Sequence, residues 1–293
     1  MKECVLYEKL KNKKNTVRCS ACSQRCVISD NKVGICGVRK NIKGKLYLLV
    51  YGKVIAAHVD PIEKKPLYHF LPGSQSYSIA TARCNFRCLW CQNYDISQYK
   101  EFPRREIPGK ETTPEKIVED AIKTKCKSIS YTYTEPAIFV EFAIDTAKLA
   151  KKKNLKNIFV TNGYITPECL DYITGYVDAM NIDLKSFSDD FYRKYCGATH
   201  GIKPVLDNIK LAHEKKIHIE ITTLVIPGLN DSDEEFEKIA KFIASVDKNI
   251  PWHISRFFPM YKMLDKPITP FETLKKAEKI GKKYLNHVYI GNV

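Results

Sequence analysis

The sequence predicts an α/β fold in which a parallel sheet carries its helices outside and a small cysteine-bearing segment stands in front. Two observations predict it. From Ser76 onward short β-type runs alternate with helical periods, and such alternation, with crossovers long enough for a helix, packs as a parallel sheet. Before that point the texture differs, with a tight group of cysteines and proline-bounded connections. The expected division is therefore residues 1–72, a cysteine-rich segment with a hairpin and a linker, and residues 73–293, the α/β domain.

Taken in order, the first segment should hold a hairpin over residues 46–59 that turns at Tyr51-Gly52-Lys53. The stretch from Asp60 to Pro66 reads as a linker, because prolines near both its ends interrupt regular hydrogen bonding. Strands are expected at residues 77–81, 128–132, 158–161, 179–182, 217–224 and 252–257, with a short one at 288–290. Helices between them include 137–151, 232–246 and 270–284. Function in such folds gathers on loops after the carboxyl ends of the strands. Polar residues follow that rule: Cys84 comes after the first strand, Glu135 after the second and Asn162 after the third. Asp183 and Lys185 end the fourth, Pro227-Gly228 follows the fifth, and Arg256 ends the sixth. They point to one shared mouth.

Bulk properties narrow the class. With 44% hydrophobic and 28% charged residues over 293 positions, the chain reads as a soluble globular protein. Its apolar runs fall short of the roughly 20 residues that span a bilayer. The opening stretch is charged throughout and lacks a secretory core, so a cytoplasmic location is expected. The net charge of +15 comes from 48 basic and 33 acidic residues, only nine of the former being Arg. Base recognition leans on Arg geometry, so this balance reads as a solvated Lys-rich surface and argues against a nucleic-acid partner.

Seven of the eleven cysteines fall into two groups. Clustered thiols in a cytoplasmic chain read as metal ligands. Cys84, Cys88 and Cys91 form a C-x3-C-x2-C loop directly after a strand. Iron–sulfur clusters usually take four thiolates, so three leave one iron open to an external ligand; zinc prefers paired C-x2-C knuckles. Cys19, Cys22, Cys26 and Cys36 make a complete set that suits either zinc or a closed iron–sulfur cluster, in a structural or electron-relay role. A reduced, thiol-rich turn is the plainer reading. The two groups are expected to act independently, since the three-cysteine loop is self-contained.

At Cys84-Asn85-Phe86-Arg87-Cys88-Leu89-Trp90-Cys91 the chain resembles the radical S-adenosylmethionine (SAM) superfamily, whose signature is C-x3-C-x-aromatic-C; Trp90 fills the aromatic slot. The resemblance implies a partial (β/α)6 TIM-like barrel, a [4Fe-4S] cluster on the three cysteines and SAM on the open iron. It also implies reductive SAM cleavage to a 5′-deoxyadenosyl radical that takes a hydrogen atom from a substrate, with an electron donor such as ferredoxin or flavodoxin. Tyr133-Thr134-Glu135-Pro136 stands where the family has Gly-Gly-Glu-Pro. Thr161-Asn162-Gly163, Asp183-Leu184-Lys185 and Val225-Ile226-Pro227-Gly228 resemble segments of the activating enzymes of glycyl-radical proteins such as pyruvate formate-lyase. Val160 replaces the Asp that usually precedes Thr-Asn-Gly there, a departure at their associated cation site. Stretches from Asp60 to Phe70, at Tyr195-Cys196-Gly197-Ala198 and from Trp252 to Phe257 resemble the radical SAM member of the AmmeMemoRadiSam system.

By this resemblance Trp90, Thr134, Glu135, Asn162, Asp183, Lys185, Ile226 and Arg256 are expected at the SAM site, and Cys196 is a candidate for relaying a hydrogen atom. Each has a plainer reading. Asp183 and Lys185 share one side of a strand and suit an ordinary ion pair. Glu135 before Pro136 suits a helix start, Cys196 suits a buried thiol, and His253 suits a satisfied interior histidine. The substrate stays open between a glycyl-radical-type protein and a small molecule, peptide or RNA. A metal-stabilised, non-catalytic binding or assembly protein is the contrasting class, against which the intact three-cysteine loop argues.

Overall fold

The structure is a computed structural model, and it describes residues 1–98 and 107–293. Its centre is an eight-stranded sheet. The strands are β1 (Ala56–Pro61), β2 (Gln75–Ala80), β3 (Ser128–Tyr131), β4 (Lys156–Thr161), β5 (Ala179–Asp183), β6 (His218–Val225), β7 (Trp252–Arg256) and β8 (Val288–Gly291). Their order in space is their order in the chain. β1 pairs antiparallel with β2; every later pairing is parallel. Sequential order with parallel crossovers is barrel winding, but β1 and β8 remain unpaired edges among the described residues, so the barrel is partial.

The helices of the crossovers are α1 (Pro114–Lys123), α2 (Val140–Lys152), α3 (Pro167–Ile173), α4 (Lys203–Glu214), α5 (Asp233–Asp247) and α6 (Phe271–Gly281). Their starts follow local chemistry. Thr113, Thr166 and Ser232 each accept a backbone N–H of the first turn, and proline opens α1 and α3, as capping requires. The predicted helix at 137–151 splits into a 3-10 turn, Pro136–Phe139, followed by α2.

The amino-terminal segment departs from expectation. The hairpin over 46–59 does not form. Lys45–Leu48 pairs instead with Arg39–Ile42 and Lys2–Glu3, while Lys53–Val54 pairs with Lys110–Glu111. The stretch read as a linker is also partly regular: Asp60 and Pro61 finish β1, and Ile62–Lys64 make a 3-10 turn. Pro61 is tolerated because β1 is an edge strand. A second small sheet, Tyr7–Lys9, Val17–Cys19 and Val27–Ile28, carries the first cysteines.

This segment is fastened to the barrel by buried polar contacts. Arg39 reaches Glu141 of α2 at 2.5 and 3.1 Å and also donates to the carbonyl of Ile138. The two side chains are 2% and 0% exposed. Cys22 bridges to Ile165, and the Ser23 N–H donates to the Tyr164 carbonyl at 2.8 Å. Val17, Ile28, Val38, Leu46 and Leu48 share one hydrophobic core with the barrel. No helix among the described residues is long and apolar enough to cross a membrane.

Candidate active site

A cavity of about 650 Å3 opens at the carboxyl ends of the strands, within the range of small-molecule sites. Cys84, Cys88, Cys91 and Trp90 line it from the loop after β2; Thr134 and Glu135 from the end of β3; Asn162 after β4; Asp183 and Lys185 at the end of β5. Six strand ends were read as one mouth, and four of them reach it by the predicted residue; Pro227-Gly228 does not line it, β6 facing it with Thr222 and Leu224 instead, while Gly228 borders a separate cavity. The exceptions are instructive. Arg256 stays outside the lining; its Nε donates to the Thr269 carbonyl at 2.8 Å and its guanidinium lies over Phe258. β7 presents His253 and Ser255 to the cavity instead, because side chains alternate across a strand and Arg256 falls on the other parity. Ile226 is fully buried and its side chain is not part of the lining. Cys196 is likewise fully buried, outside the lining and close to Cys88.

The three-cysteine loop is suspended from two sides. A π-helical turn, Tyr192–Cys196, offers carbonyls to it: the Arg87 N–H donates to Cys196 at 2.7 Å and the Leu89 N–H to Tyr195 at 3.1 Å. π-turns of this kind recur at functional sites. From the amino-terminal segment, Gln24 Nε2 donates to the Asn85 carbonyl at 3.0 Å and to the Gly197 carbonyl at 2.9 Å. The expectation of a self-contained loop is therefore corrected. Gln24 lies between Cys22 and Cys26, so the first cysteine group and the loop share a clamp. Nothing in residue spacing announces this contact.

Glu135 combines its two readings. It caps the turn at Pro136, accepting the Ala137 N–H at 3.1 Å, and it also accepts the Thr161 hydroxyl at 2.8 Å and the Asn162 N–H at 2.9 Å. Burial pushes its carboxyl up to about 7, against those three donors, which pull the other way. Asp183 and Lys185 do form the ion pair, at 2.7 Å. Burial works against the Lys185 ammonium, but the Asp183 carboxylate beside it outweighs burial and holds its pKa well above the ordinary lysine value. Gly163 has φ +72, and a Cβ there would meet Ile182 at 2.7 Å. Only glycine lets the chain turn so tightly beneath Asn162.

Two features were not anticipated. Tyr133, in a position where the family has glycine, keeps a left-handed φ of 62. Its hydroxyl donates to Asp60, and Lys65, paired with Asp60 at 2.7 Å, lies over its ring at 4.6 Å. On the barrel floor, Glu220 accepts the N–H groups of Tyr68 and His69 and bonds His218 and His253. Burial opposes its charge, yet those four partners lower its pKa to about 2. His253 is thus a satisfied interior histidine that also faces the cavity.

The donor set fits an iron–sulfur cluster. Three thiols face one cavity, and the Phe86 N–H donates to Cys84 Sγ at 3.4 Å, the kind of contact that tunes cluster sulfur ligands. Burial raises the Cys84 thiol pKa well above its usual value, so metal binding must displace its proton.

Comparison with known proteins agrees with this geometry. Over its full length the chain is 48% identical to an uncharacterized protein of Methanocaldococcus jannaschii, covering 86% of it. It is 30% identical to a putative glycyl-radical enzyme activating enzyme of the same organism, over 73% of this chain and 80% of that protein. It is 26% identical to the pyruvate formate-lyase-activating enzyme of Clostridium pasteurianum, over 69% of this chain and 88% of the relative. A radical SAM methyltransferase from Sphaerobacter thermophilus shares the fold with a TM-score of 0.58 at 13% identity, over 76% of this chain and 67% of that one. The profile of the Radical SAM superfamily matches residues 78–243, the span that holds all three cluster cysteines and the polar strand ends from Glu135 to Lys185. The chain belongs to the radical SAM superfamily and is related to the pyruvate formate-lyase activating enzymes.

Proposed function

We propose that this radical SAM enzyme removes a hydrogen atom from a protein partner, in the manner of an activating enzyme for a glycyl-radical protein. The observation that carries the reading is the convergence of Cys84, Cys88, Cys91, Glu135, Asn162, Asp183 and Lys185 on one cavity. The relation to activating enzymes supports a protein as the substrate. Cys84, Cys88 and Cys91 would hold the cluster, which with SAM supplies the electron and the radical chemistry. Glu135 is placed to accept the SAM amino group, with Thr134 beside it. Lys185 is a cation available to a carboxylate, and Asp183 keeps it protonated and aimed. Trp90, packed on Phe191 at 5.3 Å, excludes water from the thiols.

The test is anaerobic. Reduced, iron-reconstituted protein is incubated with SAM and with host protein fractions labelled with dideuterated glycine, and 5′-deoxyadenosine is analysed by mass spectrometry. Deuterium acquired from the macromolecular fraction supports the reading. Deuterium acquired only from unbound small molecules would assign a small-molecule substrate instead, and absence of SAM cleavage would overturn both.

A further inference from the structure

We propose that Nδ1 of His253 accepts a hydrogen bond from an O–H or N–H of the substrate, and that Glu220 positions the ring for it. Glu220 is fully buried on β6. Its Oε2 accepts the Tyr68 N–H at 3.0 Å and lies 2.7 Å from His253 Nε2; its Oε1 accepts the His69 N–H at 2.8 Å and lies 3.0 Å from His218 Nε2. A carboxyl ringed by four donors is an ionised acceptor, so His253 Nε2 carries the proton it donates. In the neutral ring Nδ1 is then a bare lone pair. The bond to Glu220 is the only hydrogen bond of this ring among the described residues. Tyr68, edge-on at 4.6 Å, and Tyr289, stacked at 5.5 Å, fix its orientation.

Placement gives that lone pair its use. His253 is 3% exposed, yet it lines the cavity together with Thr222, Leu224 and Ser255. It is the second residue of β7, and β7 stands five places along the sheet from β2, which carries the three-cysteine loop. The ring therefore enters the cavity from another wall and another depth than the thiols. His218 bonds the same carboxylate but is not part of the lining, so of the two histidines on Glu220 only His253 meets the cavity. A peptide N–H of a protein partner and a hydroxyl of a small molecule present the same chemistry to this nitrogen. The inference rests on reading this cavity as the place of hydrogen-atom removal, and holds for either source.

Two substitutions separate the ends of the ring. His253→Gln keeps an N–H for Glu220 and removes the second nitrogen, whereas His253→Phe removes both. Reduced, iron-reconstituted protein is given SAM and extracts of host cells grown in heavy water, divided by size into protein and small-molecule fractions, and deuterium entering 5′-deoxyadenosine is measured. His253→Gln should melt with the wild type and bind SAM within about twofold of it, yet take up deuterium at least about tenfold more slowly; His253→Phe should lose stability as well. The fraction that supplies deuterium identifies the source of the donor. Supply from small molecules alone would overturn the protein-partner reading and support this inference if His253→Gln slows it. Uptake by His253→Gln at the wild-type rate would overturn the inference, leaving His253 only the task of satisfying Glu220. If the wild type draws deuterium from neither fraction, nitrogen NMR of isotope-labelled histidine decides. The ring signals lost in His253→Gln should show a bare Nδ1 beside a protonated Nε2, and a protonated Nδ1 sinks the inference.

Discussion

The two cysteine cavities lie on either side of one loop and differ in nearly every physical respect. The barrel cavity has three thiols, an open mouth and a lining of charged and polar side chains from several strands. The amino-terminal one has four thiols, walls such as Ile28 and Ile138, and little exposed polar surface. The barrel cavity is open and large enough for a small molecule, whereas the space between the amino-terminal thiols holds about one water. The difference teaches that enclosure, as much as cysteine count, separates the two groups.

The largest effect should come from the reactive side. Cys88→Ala should lower SAM cleavage about a thousandfold or more, measured as 5′-deoxyadenosine formed under anaerobic reduction. Cys19→Ala/Cys22→Ala should lower it about tenfold at most, as loss of an outer-shell support does, while hydrogen exchange speeds up over residues 1–45. Equal losses in both variants would erase the distinction between the cavities.

Next comes the seam between the regions. Arg39→Met should destabilise the protein by about 3–5 kcal/mol, because it leaves Glu141 charged and unpaired in the interior. Urea unfolding reads this directly. Arg39→Met/Glu141→Leu should recover most of the loss; failure to recover would mean the pair is needed for more than mutual neutralisation.

Glu135 offers a finer probe. Its carboxyl, held near 7 by burial, must be ionised to receive the SAM ammonium. Below that value binding has to expel a proton, so SAM affinity should fall by up to about tenfold per pH unit as pH drops from 7 to 5, and level off above 8. Equilibrium binding across this range should show the slope in wild type and lose it in Glu135→Gln. Glu135→Ala should weaken binding by about 2 kcal/mol.

The smallest effect belongs to Tyr133. Tyr133→Gly relieves about 1 kcal/mol of left-handed strain but removes the hydroxyl from Asp60, worth about 1–2 kcal/mol, so stability should change by only about 1 kcal/mol. Tyr133→Phe should cost about 1–2 kcal/mol, since it loses the bond but keeps the ring under Lys65.

The barrel was legible because its strands are buried β-branched runs: His218–Val225, for instance, keeps nearly every residue inside. The mouth was legible because polar residues end those runs. What escaped depends on partners distant in sequence. The turn at Gly52 has φ +71, a hairpin feature, but the strands beside it find other partners. Arg256 was misplaced by a single step of strand parity. The Asp60–Lys65–Tyr133 network explains why a non-glycine residue survives in a left-handed position, yet its members lie in stretches that sequence spacing never joins. Gln24, between two cysteines, reaches Asn85 and Gly197, far away in the chain, and no motif marks it.

Strand order equal to chain order carries a consequence for synthesis. Each strand emerging from the ribosome meets a sheet edge already waiting, from Ala56–Pro61 to Val288–Gly291. The cysteine segment has no such luck. Arg39 must wait 102 residues for Glu141, and Ser23 needs the carbonyl of Tyr164. Until then its four thiols have no packed wall behind them, so they should react with an added thiol reagent on the nascent chain far faster than in the folded protein, where three of the four are buried.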